Sequence, residues 1–199
     1  KLRKIGAGTL TLASVSSYSG GTLVDAGTLA TDTSGALGTG AVSIAPGAAL
    51  QFGGKADAGM LTIANQGTLR LQDGANAASA TVTNAAGAQV RIDLATTGAS
   101  IGSLGGGGDV VLGAKALTTG AVGSDNTISG AISGAGGSLV KVGAGTLTLA
   151  GTASYSGETR VVAGMLKAGA ANAFSAASSG VVASGATLDL AGFSQQMAG

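Results

Sequence analysis

Short runs in which aliphatic and polar residues alternate return at nearly constant intervals along this chain, and few folds satisfy such a rhythm. The runs centre near Leu10, Leu29, Leu50, Leu69, Val90 and Val111, with successive offsets of 19, 21, 19, 21 and 21. Leu147 and Leu166 are again 19 apart. Each interval holds at least one further run: Thr22–Val24, Val42–Ile44, Leu61–Ile63, Thr81–Thr83 and Ile101–Leu104. Within a run, aliphatics such as Leu10/Leu12, Leu69/Leu71, Val90/Ile92/Leu94 and Leu188/Leu190 alternate with Thr, Ser, Arg, Gln or Asp. A period of two marks a strand with one face in a dry core and the other in water. Strands this short cannot bury their inner face alone. Repeated at a fixed period, they describe the coils of a solenoid, each stabilised by its neighbours. The expectation is an all-β chain, a parallel β-helix of about ten coils of roughly 20 residues. Leu10, Leu29, Leu50 and Leu69 should then stand one above another.

The composition fits that reading. The chain has 199 residues, with 38 glycines, one proline and 10% charged residues. Glycine without a G-X-Y period excludes collagen, and evenly spaced aliphatics exclude a featureless flexible chain. The glycines therefore belong at corners, where the backbone must turn or where neighbouring coils crowd. Helix is not expected: alanine-rich 168–179 is diluted by Gly169, Asn172, Ser175, Ser178 and Ser179. No run of eighteen apolar residues is present, and 3% aromatics is too little for the girdles of a transmembrane barrel. Net charge is +1 and the ten basic residues are scattered. Only Lys1, Arg3 and Lys4 cluster, and these read as a solvated end rather than a nucleic-acid footprint. The lack of cysteine excludes disulfides and thiolate zinc sites, and suits a chain that crosses an oxidising compartment unfolded.

A longer repeat overlies the short one. Residues 2–29 read LRKIGAGTLTLASVSSYSGGTLVDAGTL and residues 139–166 read LVKVGAGTLTLAGTASYSGETRVVAGML, with a constant offset of 137. Lys141–Leu149, Ala153–Gly157, Thr159 and Gly164–Leu166 resemble the passenger-associated transport repeat of bacterial autotransporters. Lys4–Leu12, Ser17–Thr22 and Gly27–Leu29 form a second copy. Ile128–Gly137 is similar to the segment that precedes this repeat in the family. One departure is Glu158, where the first copy has Gly21.

The resemblance implies a right-handed β-helix displayed on, or released from, a Gram-negative cell. Residues 1–199 would be a single fragment of a longer passenger, with repeat copies at about 2–30 and 128–167. An outer-membrane barrel of the same polypeptide would lie downstream and a signal peptide upstream. No signal sequence opens this chain, so it reads as an excised piece. The expected role is a structural stalk that supports export and folding and presents adhesive regions. An adhesin module binding a host surface or neighbouring passengers is the alternative, and a polysaccharide-active β-helix enzyme the third reading.

Chemistry for the enzyme reading is sparse. The nine carboxylates are spread singly, whereas glycoside hydrolysis needs two that face each other. Asp73 and Asp93, separated by about one coil length in the sequence, could stack on adjacent coils; Arg91 and Asp93 should form an exposed ion pair. Without histidine no Ser-His-Asp triad exists. Gly105–Asp109 matches half of one calcium nonapeptide, and Gly54-Lys55 lacks the rest of a phosphate loop. Thr9/Thr11, Thr81/Thr83 and Thr146/Thr148 do not recur on every coil, so they express β-propensity rather than an ice-binding ladder. Tyr18 and Tyr155 share a repeat position, which points to a structural task such as covering a corner. No catalytic, cofactor-binding or metal-binding residue is assigned. Nucleic acid and small-molecule substrates are not expected as partners, and no cofactor is expected.

Overall fold

In the computed structural model, which describes residues 1–198, the chain winds as a parallel β-solenoid of about nine turns at about 20 residues each. Strands are numbered along the chain. One side is a ten-stranded sheet. Its first five members are β1 (Leu2–Lys4), β3 (Thr22–Val24), β5 (Val42–Ile44), β7 (Thr62–Asn65) and β9 (Ala77–Asn84). It continues through β11 (Gly98–Gly105), β13 (Ala116–Thr119), β16 (Ser138–Lys141), β18 (Thr159–Val161) and β20 (Gly180–Val182). A seven-stranded sheet forms the second side. It holds β2 (Thr9–Leu12), β4 (Thr28–Thr31), β6 (Ala49–Phe52), β8 (Thr68–Leu71), β10 (Gln89–Arg91), β12 (Asp109–Val111) and β15 (Ile132–Ser133). A four-stranded sheet carries β14 (Asn126–Ile128), β17 (Thr146–Leu149), β19 (Met165–Ala168) and β21 (Thr187–Asp189). Ten levels at the usual strand spacing make a rod about 45 Å long.

Every pairing between these strands is parallel, and the register places the expected column as read from the sequence. Leu10 pairs with Leu29, Leu29 with Leu50, Leu50 with Leu69 and Leu69 with Val90. The next member is Val110, not Val111. Leu29, Leu50, Leu69, Val90 and Val110 are completely buried, each contributing roughly 1.5–3 kcal/mol of hydrophobic stabilisation. Leu94 departs from the expected alternation. Strand β10 ends at Arg91, a turn follows Ile92, and Leu94 is 63% exposed.

The column does not run straight into the second repeat. Val110 hands over to Ile132, and Ile132 bridges Ala153. Ile128 meanwhile bridges Gly106, and β14 founds the four-stranded sheet on which Leu147, Leu166 and Leu188 stack in turn. The coil holding β13, β14 and β15 thus has three strands. In the two preceding coils β9 and β11 are eight residues each, and their pairing shifts register between Ile101 and Ser103. No helix occurs among the described residues; in 168–179 the chain instead tucks Ala173, Phe174, Ser175 and Ser178 inside.

Candidate functional site

Strand alternation turns Leu139 and Lys141 of β16 to the inside, which buries an ammonium group at the corner leading to β17. A buried charge is costly unless its hydrogen bonds are made. All three protons of the Lys141 ammonium are used: Nζ donates to the carbonyls of Val142 (2.8 Å), Gly143 (2.8 Å) and Ala163 (3.1 Å). Two of these carbonyls belong to its own corner and the third to the next coil, so the side chain staples one coil to another. Lys4 does the same at the equivalent position of the first repeat, donating to Ile5 (3.1 Å), Gly6 (2.6 Å) and Ala26 (2.9 Å). Burial pushes the Lys141 pKa down, and the charge of Asp125 acts in the opposite direction. Lys4 is therefore no part of a solvated basic end: it is buried, and its neighbour Arg3 is paired with Asp25.

The third carbonyl of each staple precedes a glycine. A Cβ on Gly164 would lie 2.6 Å from the Gly145 carbonyl oxygen and 2.7 Å from that of Ala144; Gly27 sits over Gly6, Ala7 and Gly8 in the same way. Lysine, corner glycines and the following glycine form one device, which is why they recur together in the sequence.

A second device joins the next coil from the other end of the repeat. Tyr155 is fully buried, and its hydroxyl lies 2.6 Å from Thr159 Oγ1, itself 2.7 Å from Ser178 Oγ. Ser175 Oγ donates to the Tyr155 carbonyl at 2.5 Å. Desolvation raises the Tyr155 pKa against the opposing pull of these hydroxyls, so the phenol is neutral at physiological pH. Tyr18 repeats the contact with Thr22 at 2.7 Å, half-buried. Tyr155→Phe removes one hydroxyl from a chain of three. The expected loss is about 1 kcal/mol, read as a small fall in the urea midpoint with an unchanged slope.

Two asparagines that the sequence does not announce as a pair solve the same corner elsewhere. Lys4, Val24, Ile44, Asn65 and Asn84 are successive partners in the ladder. Asn65 and Asn84 are both buried. Asn65 Nδ2 donates to Asn84 Oδ1 and to the Gln89 carbonyl, both at 2.8 Å, and Asn84 Nδ2 to the Asp109 carbonyl at 3.0 Å. A signal for them exists: each closes a β-run, and the two runs lie one coil apart.

The carboxylates expected to stack do not. Asp73 bridges Ala95, not Asp93, and adopts a left-handed backbone (φ 53°), its carboxylate accepting from the Gly54 amide at 3.1 Å. Asp93 is engaged by Arg91 at 2.6 Å, the expected pairing though half-buried rather than exposed, and this guanidinium holds its carboxyl below the ordinary carboxylate range. An acid held ionised is poorly suited to donate a proton. No group of three or more Asp or Glu side chains among the described residues is placed to hold a metal ion. Asp109, after the turn at Gly106–Gly108, uses its carboxylate to accept from the Ala131 amide of the next coil at 3.1 Å.

Comparison with known proteins places the staples. Residues 2–30 and 139–168 match the passenger-associated-transport-repeat family, and these spans contain Lys4, Tyr18 and Gly27, and Lys141, Tyr155 and Gly164. Over 170 residues the chain is 35% identical to the adhesin BmaC autotransporter of Brucella suis biovar 1 (strain 1330). That alignment covers 83% of this chain and 4% of the Brucella protein. No solved structure matches at a significant level.

Proposed function

The chain is a segment of an autotransporter passenger that carries two transport repeats, and from that premise we propose that residues 1–199 serve as a non-catalytic structural stalk. It supports export by folding outside the cell and holds adhesive regions of the longer protein away from the surface. One observation carries this reading: the lysines of both repeat copies, Lys4 and Lys141, and Tyr155 of the second are buried inside the solenoid and hold one coil to the next, so they are not displayed for a ligand. Coils coupled only to their neighbours can add one at a time to a folded template. Each addition outside the cell opposes back-sliding of the chain. The partner in export is the outer-membrane barrel of the same polypeptide, and the location is the Gram-negative cell surface or, after cleavage, the medium.

The test acts on the core of the second repeat. Leu147 and Leu149 are 3% and 1% exposed. Replacing both by Asp in the full-length protein places two charges in the dry column. Surface display should fall several-fold while the outer-membrane barrel still inserts; undiminished display would contradict the proposal.

The relationship to a protein named as an adhesin favours a second reading, a module that itself binds a host surface or a neighbouring passenger. Binding of the isolated chain to host cells, or lateral association of displayed chains, would support it over the stalk.

A further inference from the structure

Of the four arginines in the chain, three are paired with an acid: Arg3 with Asp25, Arg91 with Asp93 and Arg160 with Glu158. Arg70 is the exception, and among the described residues it makes no ion pair. It stands on the outer face of β8, with Gln51 of β6 and Arg91 of β10 as its lateral partners. Like charges directly opposite each other destabilise a sheet. Arg91 is explained by Asp93, whose two carboxylate oxygens it takes through Nε (3.2 Å) and Nη2 (2.6 Å). Nothing in the fold calls for a second cation beside it.

The surroundings of Arg70 form a flat polar platform. Gln51, Arg70 and Arg91 make one column, with Thr68 and Gln89 in the column beside it, all partly exposed. Strands β6, β8 and β10 turn no large apolar side chain outward, so a protein partner finds no anchor there. Each of the three is paired on both sides, which leaves no edge for an added strand. Acids stand at the margins. Asp32 leans over Gly53 beside the β4 rung, Asp109 opens β12, and Asp73 is turned to the Gly54 amide. Between them Arg70 is a cation that no acid answers. The ten-stranded sheet has no counterpart, since its strands β3 to β13 contain no charged residue.

We propose that this platform binds a linear polysaccharide of uronic acids, laid along the rod across β6, β8 and β10. The Arg70 guanidinium is a planar fork that matches a carboxylate through two parallel hydrogen bonds. Gln51 and Gln89 each offer donors and an acceptor to ring hydroxyls. Arg91, fixed by Asp93 through Nε and Nη2, leaves Nη1 for the ligand on the next rung. Sugar units of an extended chain advance by roughly one strand spacing, about 4.8 Å, so successive units meet successive rungs. The acids at the margins limit the seat to these three rungs. The site goes beyond the stalk reading and gives the binding-module reading a ligand class.

The experiment titrates the full chain with hexagalacturonate at low salt and follows its backbone amide NMR signals. The fully methyl-esterified hexamer, the same sugar chain without its charges, is the control. The acid should shift amides of β6, β8 and β10, bind less well as salt is added, and bind about tenfold more tightly than the ester. Arg70→Ala should weaken binding of the acid about tenfold, the order expected for one lost charge-assisted pair. Its urea midpoint should stay unchanged or rise slightly, because a like-charged neighbour is gone. Arg160→Ala, which removes a paired arginine elsewhere, should bind as the parent does. Absence of binding, equal binding of the ester or of dextran sulfate, or equal losses in the two variants would each overturn the proposal. So would a lowered midpoint for Arg70→Ala, which would give the arginine a structural task. Surface display of Arg70→Ala in the full-length protein should match the parent, so failure of this site and failure of the stalk reading appear in different measurements.

Discussion

Lys141→Met is expected to destabilise the C-terminal coils by about 3–5 kcal/mol. Methionine fills much of the same volume but donates nothing, so the carbonyls of Val142, Gly143 and Ala163 lose their shared donor. A buried acceptor left without a partner costs about 1–3 kcal/mol, and partial rehydration at the corner keeps the total below the sum of three. The loss should be local at first, because a solenoid couples each coil mainly to its neighbours. Amides of β16 to β19 should exchange faster with solvent, while those of β6 and β8, several rungs away, keep their protection. An equal rise throughout the rod, or none, would show that the lysine does not act as a staple. The companion Lys4→Met should cost less, because its rung lies at an edge and β2, the strand that follows its corner, is largely exposed.

Gly164→Ala is expected to cost at least as much as the most damaging core truncation, about 3–5 kcal/mol. Two penalties combine. The left-handed backbone at Gly164 (φ 66°) opposes any Cβ, at about 1–2 kcal/mol. The added carbon would also overlap the carbonyls of Gly143, Ala144 and Gly145 in the coil below. Gly185 separates the two effects, since it has the same backbone hand (φ 79°) and nothing within 4 Å. Gly185→Ala should therefore lower the urea midpoint only modestly. Comparable midpoints for the two variants would mean that crowding between coils contributes nothing.

Much of the fold is legible in the sequence because period two and period twenty act together. Leu10, Leu29, Leu50 and Leu69 can be placed in one column from spacing alone, since a half-buried strand admits only one parity. Parity fails at Val110-Val111, where two adjacent valines offer either face, and the register chooses Val110. It fails again at Leu94, because the pattern continues past the end of β10 into a turn. The fork at Ile128 and Ile132 is hidden by strands of only two and three residues, too short to carry a period.

The staples are harder to read for a different reason. Lysine at the end of a strand ordinarily marks a solvated face, and only its recurrence at the same repeat position in both copies hints otherwise. The tyrosines declare a structural task through that same recurrence. The asparagines pass for loop residues, although two of them close β-runs one turn apart. Asp73 and Asp93 show the limit of spacing. One coil length along the sequence makes two residues neighbours only where the coil is regular, and Asp73 belongs to a tight turn that pairs with Ala95 instead.

Stacking of coils one register step apart is the claim on which the rest stands, and the absence of cysteine from the chain makes it directly measurable. Gln51 and Arg70 are lateral partners on the outer face of adjacent coils, and Arg91 lies one coil further along. Adjacent strands are about 4.8 Å apart and alternate ones about twice that, on either side of the reach of a disulfide. A chain carrying Gln51→Cys and Arg70→Cys should oxidise readily to an intramolecular disulfide, and one carrying Gln51→Cys and Arg91→Cys should not. Efficient cross-linking of the second pair, or failure of the first, would contradict the stacked-coil account.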